Sequence, residues 1–438
     1  KANVENYRQV CLICNFAKVF ESIIYKRIYS SVSHLITPVQ HGFVQKRSTI
    51  SNLACLSQFV SKAIDNNSQV DVVYTDFQKA FDQIDHFVLL NKLNALGFSA
   101  ELLALLKFYL LGRQQYVRYR NYTSSTFSPS SGVPQGSNLG PLLFLLFIND
   151  LPEVVTCESL LFADDYKLYA EIKWTEDGEA LQENLDAVLR WCNLNRLSLN
   201  VSKCNVVTYS RKKQTINYPY NINSVNINRL ECIKDLGILF DNQFTFVGHI
   251  QDMVKKAFRT YGFIYRNCRD FSDIRTLFLL FFSLVRSRLE YGAIIWFPIY
   301  KIHIVCIESV QRSFLKFVCL LLDGSYPARG FDHETLLSRF NINSLSTRRI
   351  ILLVRFLYNL VNYKINCSSL LNEVNFAIPR QSTRHVYTFY SSFNRTNAMY
   401  KSPISLMCNY YNQICRKFDI NFDKASSLSC AVTEEFGL

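Results

Sequence analysis

The chain has 438 residues, of which 49% are hydrophobic and 19% charged, so it has the material for a large core and is not an intrinsically disordered protein. Its net charge is +13, with 24 basic and 22 acidic side chains in residues 1–250 against 24 and 13 in residues 251–438, which gives the second part the character of a polyanion binder. The longest apolar runs, 142–148 and 277–285, fall short of the ~20 residues of a membrane span, and fourteen cysteines without a disulfide pattern fit a reducing compartment, nucleus and cytoplasm.

Apolar residues at Phe16, Val19, Phe20, Ile23 and Ile24 predict a helix over 16–35, stopped by Thr37-Pro38. Just before it, Cys11 and Cys14 form a CxxC with no second pair, which reads as buried helix cysteines rather than a zinc half-site. A second helix is expected at 48–65. The β-branched run 70–77 predicts a buried strand. Helices follow at 87–96 and 100–111, a hairpin at 114–119 and 122–128, and a helix at 139–150. Strands at 158–162 and 166–171 flank a turn, then a helix covers 176–194 and strands cover 206–210 and 232–240. From 249 onward the pattern is mostly helical, and the boundary falls near 246–248.

Three acids stand out by location. Asp76 closes the strand after Val70-Asp71-Val72-Val73-Tyr74-Thr75, and Asp164-Asp165 occupy the turn after Leu160-Leu161-Phe162-Ala163. Adjacent carboxylates repel each other unless a cation is present. Strand ends hold oxygen ligands within tight tolerance, and Mg²⁺ takes one or two carboxylates together with substrate phosphates. On this pattern alone, the pair is also what a solvated turn looks like. Asp82 and Asp85 follow closely and read as helix N-terminal acids.

The words around these acids say more. Tyr74-Thr75-Asp76-Phe77-Gln78-Lys79-Ala80-Phe81-Asp82, Ser131-Gly132-Val133-Pro134-Gln135-Gly136 and Phe162-Ala163-Asp164-Asp165 resemble, in order and spacing, the palm motifs of reverse transcriptases. The resemblance is to those of non-LTR (LINE-like) retrotransposons of the jockey type. His41-Gly42-Phe43-Val44-Gln45-Lys46-Arg47-Ser48-Thr49, Leu197-Ser198-Leu199-Asn200 through Lys203, Ile233-Lys234-Asp235-Leu236-Gly237, and the segments at 6–10, 382–384, 396–397 and 402–404 extend it over nearly the whole chain.

That resemblance implies an α+β right-hand polymerase with an antiparallel palm sheet. Fingers and palm would fill 1–247, a helical thumb 248–330 and a helical C-terminal extension 331–438. It implies RNA-directed DNA synthesis from dNTP on a primer 3′-hydroxyl, with Asp76, Asp164 and Asp165 as ligands of Mg²⁺, for which Mn²⁺ can substitute. Phe81 becomes the gate against a 2′-hydroxyl, the amides of 77–80, Phe77 and Ala80 among them, line the triphosphate, and Gln135 and Gly136 meet the nucleotide. Lys46 and Arg47 become triphosphate contacts, and Lys203 the general acid for pyrophosphate. Leu236 and Gly237 would brace the primer end, while Lys255, Lys256 and Arg259 track the template–primer backbone. Arg286, Arg288, Arg348 and Arg349 are weaker candidates for the same role. The implied partners are template RNA, a DNA primer, dNTP and an element ribonucleoprotein, with neither a membrane nor a zinc-knuckle partner. The chain is then the polymerase part of a longer element. The alternative is a catalytically silent nucleic-acid-binding relic.

Overall fold

The computed structural model describes residues 10–271, 273–328, 330–378, 387–390 and 393–437; the motif segments at 6–9 and 382–384 lie outside them. In chain order the first elements are α1 (Asn15–Val32), α2 (Thr49–Asp65), β1 (Gln69–Thr75), α3 (His86–Ala95), α4 (Ala100–Leu111), β2 (Arg118–Tyr119), β3 (Tyr122–Thr123), α5 (Leu139–Ile148), β4 (Glu158–Phe162), β5 (Asp165–Ile172) and α6 (Thr175–Leu194). Next come β6 (Asn205–Tyr209), β7 (Asn221–Ile222), β8 (Val225–Asn226), β9 (Asn228–Arg229), β10 (Cys232–Asp235) and β11 (Ile238–Asp241). The remainder is helical: α7 (Val247–Asn267), α8 (Ile274–Leu280), a π-helical turn at Phe281–Arg286, α9 (Ser287–Glu290), α10 (Lys301–Asp323), α11 (His333–Arg339), α12 (Leu345–Val361), α13 (Ser368–Leu371), α14 (Asn397–Tyr400), α15 (Pro403–Ile414) and α16 (Ala425–Phe436).

Two compact units emerge. The first is Lys1–Asn52, Val70–Thr208 and Gln214–Leu230, and the second is Leu53–Gln69, Tyr209–Lys213 and Glu231–Leu438. These breaks differ from the divisions at 247 and 330 expected from sequence.

In the first unit a five-stranded sheet runs β4-β5-β1-β6-β9. β4 and β5 pair antiparallel with Phe162 opposite Asp165, while the edge pair β6–β9 is parallel over two residues, a departure from the antiparallel expectation. β1 is central and almost wholly buried, as its β-branched run requires. Behind the sheet, Leu142–Ile148 of α5 is buried on every face and packs in one core with Val73, Leu168, Leu185 and Val188. Two helices start on polar caps: Asp85 accepts from Phe87 N and Val88 N at the head of α3, and Ser99 accepts from Leu102 N at the head of α4.

Three expectations need correction here. The apolar stripe of α1 faces outward: Phe16, Val19, Phe20 and Ile23 are exposed. The inward face is Ile28, Tyr29 and Val32, with Ile24 and Tyr25 packed beside them, and Glu21 turns inward with it, accepting from Asn138 N (2.8 Å) and from Tyr109 OH (3.0 Å). Cys11 and Cys14 precede α1, half-buried and exposed respectively, so they are not buried helix cysteines. Asp82 lies in a turn rather than in a helix, with consequences given below.

In the second unit, the single strand expected over 232–240 is a hairpin. β10 and β11 pair antiparallel with Asp235 opposite Ile238, because Leu236 (φ 42°) and Gly237 (φ 93°) both adopt left-handed backbone. Among the helices, Tyr261 OH on α7 donates to Ser313 O on α10 (3.0 Å), and Phe281 stacks on Phe314 with centroids 4.1 Å apart. No described helix is long and apolar enough to cross a membrane.

Candidate active site

The sheet brings the three aspartates to one edge of the first unit. Thr75 Oγ1, at the last residue of β1, donates to the carbonyl of Tyr166 on β5 (3.0 Å). The next residue after Thr75 is Asp76, and the residue before Tyr166 is Asp165. Asp164 lies in the two-residue link between β4 and β5, where Ala163 takes φ 55°.

The 40–42 segment grips this link. His41 N donates to Leu161 O (2.8 Å), Leu161 N to Val39 O (2.9 Å), Ala163 N to Gln40 Oε1 (2.9 Å) and Gln40 Nε2 to Ala163 O (3.3 Å). Gly42 is present because nothing larger fits: a Cβ there lies 2.2 Å from Ala163 N. The signal for Gln40 was its place directly before the His41-Gly42 words; its two-ended amide was not read as a clamp.

The segment after Asp76 is tied down on the other side. Asn200 N donates to Asp76 O (2.7 Å) and Gln78 N to Ser198 O (2.8 Å). The Gln78 amide is therefore committed to the 197–200 loop, which corrects its expected place along a triphosphate. Lys203, on the short 3₁₀ turn that follows, sets Nζ 3.2 Å from Asp76 Oδ2. The contact pairs the charges without hydrogen-bond geometry, and Asp76 Oδ2 is buried with no hydrogen-bond partner. Yet the Asp76 side chain is 34% exposed and that of Lys203 is 65% exposed, so the corner opens to solvent. Three carboxylates of hard oxygen, one with a buried oxygen that makes no hydrogen bond, fit a hard divalent cation such as Mg²⁺.

Phe81 is half-buried, stacked on Phe144 with centroids 4.4 Å apart and met edge-on by Phe43 at 6.3 Å. Phe77 and Ala80 are buried in the core. The Gln135 turn is stitched to the Phe81 segment: Gly132 N donates to Ile84 O and Val133 N to Phe81 O, both 2.8 Å. Gln135 Nε2 donates to Asp82 Oδ1 (2.9 Å), so Asp82 positions Gln135 rather than a helix dipole. Gly136 follows at φ 104°. Lys46 is exposed. Arg47 NH1 donates to the carbonyls of Thr37 (2.8 Å) and Gln40 (2.7 Å), which brace the loop around Gln40.

The remaining candidates belong to the second unit. Leu236 and Gly237 form the β10–β11 corner, where Tyr291 OH donates to Leu236 O (2.8 Å). On α7, Lys255 and Arg259 are exposed, whereas Lys256 pairs with Asp252 at 2.5 Å. The arginine pair at 348–349 and Arg286 are not a nucleic-acid surface. Arg349 is buried, and Arg348 and Arg286 both converge on Glu290.

A family model described as reverse transcriptase (RNA-dependent DNA polymerase) matches residues 1–250. Three proteins of Drosophila melanogaster are similar. The probable RNA-directed DNA polymerase from transposon X-element is 28% identical over 325 residues, 72% of this chain and 35% of its own length. The RNA-directed DNA polymerase from mobile element jockey is 32% identical over 270 residues, 59% and 29% of the two chains. The probable RNA-directed DNA polymerase from transposon BS is 31% identical over 267 residues, 58% and 29%. The chain thus spans about a third of the length of the relatives it matches. Among solved structures, apo telomerase from Candida tropicalis aligns over 76% of this chain and 55% of that chain, at 7% identity and a TM-score of 0.41.

Proposed function

Since the chain belongs to the reverse transcriptase (RNA-dependent DNA polymerase) family, we propose that it copies an RNA template into DNA by nucleotidyl transfer, as the polymerase part of a non-LTR retrotransposon. The observation that supports this reading is the Thr75–Tyr166 bond, which sets the strand end carrying Asp76 beside the 164–165 corner, with a buried Asp76 oxygen that makes no hydrogen bond and is met only by the Lys203 charge. Asp76, Asp164 and Asp165 would hold a pair of Mg²⁺ ions, with Mn²⁺ as a substitute. Bound there, the ions supply Lewis-acid stabilisation of charge at the reacting phosphate.

The primer 3′-hydroxyl oxygen attacks the α-phosphorus of a dNTP, and the bond to the pyrophosphate oxygen breaks. Lys203 supplies a proton to that leaving oxygen; its exposure lets Nζ leave Asp76 when the nucleotide arrives. Phe81, fixed between Phe144 and Phe43, presents its ring to the sugar and excludes a 2′-hydroxyl. Gln135, held by Asp82, meets the nucleotide. Lys46 faces the triphosphate from the fingers side, Arg47 braces the loop behind it, and Leu236, Gly237, Lys255, Lys256 and Arg259 support template and primer.

Primer extension on an RNA template with Mg²⁺ tests the reading. The wild type is expected to extend the primer, and Asp164→Asn to lose extension by at least ~10³-fold. Equal extension by the two removes the polymerase reading. RNA binding without dNTP incorporation under any divalent cation leaves the relic in its place.

A further inference from the structure

The β2–β3 hairpin does not belong to the site just described, and it shows a surface that folding does not explain. Tyr116, Tyr119 and Tyr122 are 56%, 59% and 80% exposed. Tyr119 stands opposite Tyr122 and Arg118 opposite Thr123, which puts the two opposed rings on one face of the ladder. The Arg120 guanidinium lies 5.5 Å from the Tyr119 ring centre. The ladder is held below by paired bonds between Gln115 and Phe127 and by Ser124 N to Val117 O. The surface is therefore a supported platform.

Charge identifies its occupant. Residues 107–128 hold Lys107, Arg113, Arg118 and Arg120 and no acid, although residues 1–250 as a whole are close to neutral. A cavity of about 260 Å³, lined by Arg113, Gln115, Phe127, Asp82 and Gln135 among others, joins the hairpin base to the Gln135 turn. Exposed tyrosines interleaved with unopposed arginines match the chemistry of unpaired nucleotides: π-faces stack on bases and cations meet phosphates.

We propose that the β2–β3 hairpin docks single-stranded nucleic acid, stacking bases on Tyr119 and Tyr122 and holding phosphates with Arg118 and Arg120. Its assignment to the template strand on its way to Gln135 rests on the polymerase reading. The binding itself does not.

The test is fluorescence anisotropy with the full chain and a labelled, unstructured RNA oligonucleotide, without dNTP or divalent cation, alongside DNA of the same sequence. Tyr119→Ala/Tyr122→Ala is expected to weaken RNA binding about tenfold or more, and Tyr119→Phe/Tyr122→Phe to retain it. Arg118→Gln/Arg120→Gln is expected to lower the slope of log affinity against log salt by about 1.4. Equal losses on RNA and DNA support recognition by stacking and phosphate alone; a loss on RNA only supports the surface with an added 2′-hydroxyl contact. Unchanged affinity and slope in both pairs, with melting temperatures matching the wild type, overturn the proposal. So does a surface whose variants lose only self-association in sedimentation, which would make it a protein interface beside exposed Phe108 and Leu111 of α4. Should the alanine pair fail to fold, the arginine pair decides. A wild type that binds RNA through the hairpin but never extends a primer ends the polymerase reading and leaves this surface standing. Primer extension by the wild type with variants that bind normally does the reverse.

Discussion

Gly42 shows how narrow the tolerance is around the aspartate corner. Its α-carbon is pressed against the backbone of Ala163, so an added methyl can be accommodated only by moving the link that carries Asp164. Gly42→Ala is expected to cost ~1–3 kcal/mol of stability through overpacking and to lower primer extension at least ~10²-fold through misplacement of the reacting groups. Urea unfolding and steady-state extension measure the two; an unchanged extension rate would show that the link has slack. At this scale the sequence was readable where chemistry is unusual. Three acids on apolar strand ends also fit a solvated turn, and Asp76, Asp164 and Asp165 stood out through the motif words around them. Gln40 and Asp82 did not, because their work is hydrogen bonding to neighbours over forty residues away, and no local pattern reports that.

A buried charge cluster on β1, β6 and β9 locks the central sheet. Asp71 is fully buried; it accepts from Thr208 Oγ1 (2.7 Å) and Tyr220 OH (3.0 Å) and pairs with Arg229 at 3.3 Å. Arg229 also bonds Thr208 Oγ1 and the Tyr218 carbonyl. Removing Asp71 takes the acceptor from two buried hydroxyls and the partner from Arg229, whose side chain is 25% exposed. Asp71→Ala is therefore expected to lose ~1–3 kcal/mol, read from the urea midpoint, and a loss below ~0.5 kcal/mol would show that water replaces the missing acceptor. Most elements could be read from hydrophobic period and caps, to within a few residues. The strand expected over 232–240 failed because alternation continues across Leu236-Gly237 and only the left-handed backbone there marks the reversal, and the two-residue strands β7, β8 and β9 are too short to carry a period. The outward face of α1 failed for a different reason: the helix carries a second apolar stripe, Ile24, Tyr25, Ile28, Tyr29 and Val32, and that one packs in the core.

Two histidines make the stability of the whole molecule depend on pH. His41, whose Nδ1 lies 2.8 Å from Ser51 Oγ, is pushed down to about 3, by burial first and then by Arg47 and Lys167. His249, whose Nδ1 accepts from Leu239 N, is pushed down to about 4, again by burial first, with Lys256 and Lys234 adding and Asp252 opposing. The unfolded chain takes up these protons near pH 6.5 and the folded chain does not. Their stabilising effect is therefore present above pH 6.5 and is lost as pH falls toward 4, at up to ~1.4 kcal/mol per pH unit for each group. Urea unfolding at pH 7.5 and pH 5 should show this loss, and His41→Gln/His249→Gln should show a shallower one; equal pH slopes would contradict it. The division into units was the least legible feature. Most of α2, which precedes the palm words in sequence, belongs with the second unit. There Gln58 Oε1 accepts from Ile404 N (3.2 Å), Lys62 pairs with Glu373, and Asp65 accepts from Thr396 N (2.7 Å). Partners so distant leave no trace in local composition.

That embrace sets a timetable for the newborn chain. Asp65 leaves the ribosome 331 residues ahead of Thr396, an interval on the order of tens of seconds at ordinary elongation rates. Until then α2 waits for that partner, and a chain that stops short of Thr396 leaves Asp65 without it. Chaperones and proteases would meet such products first, so the architecture itself discards incomplete copies.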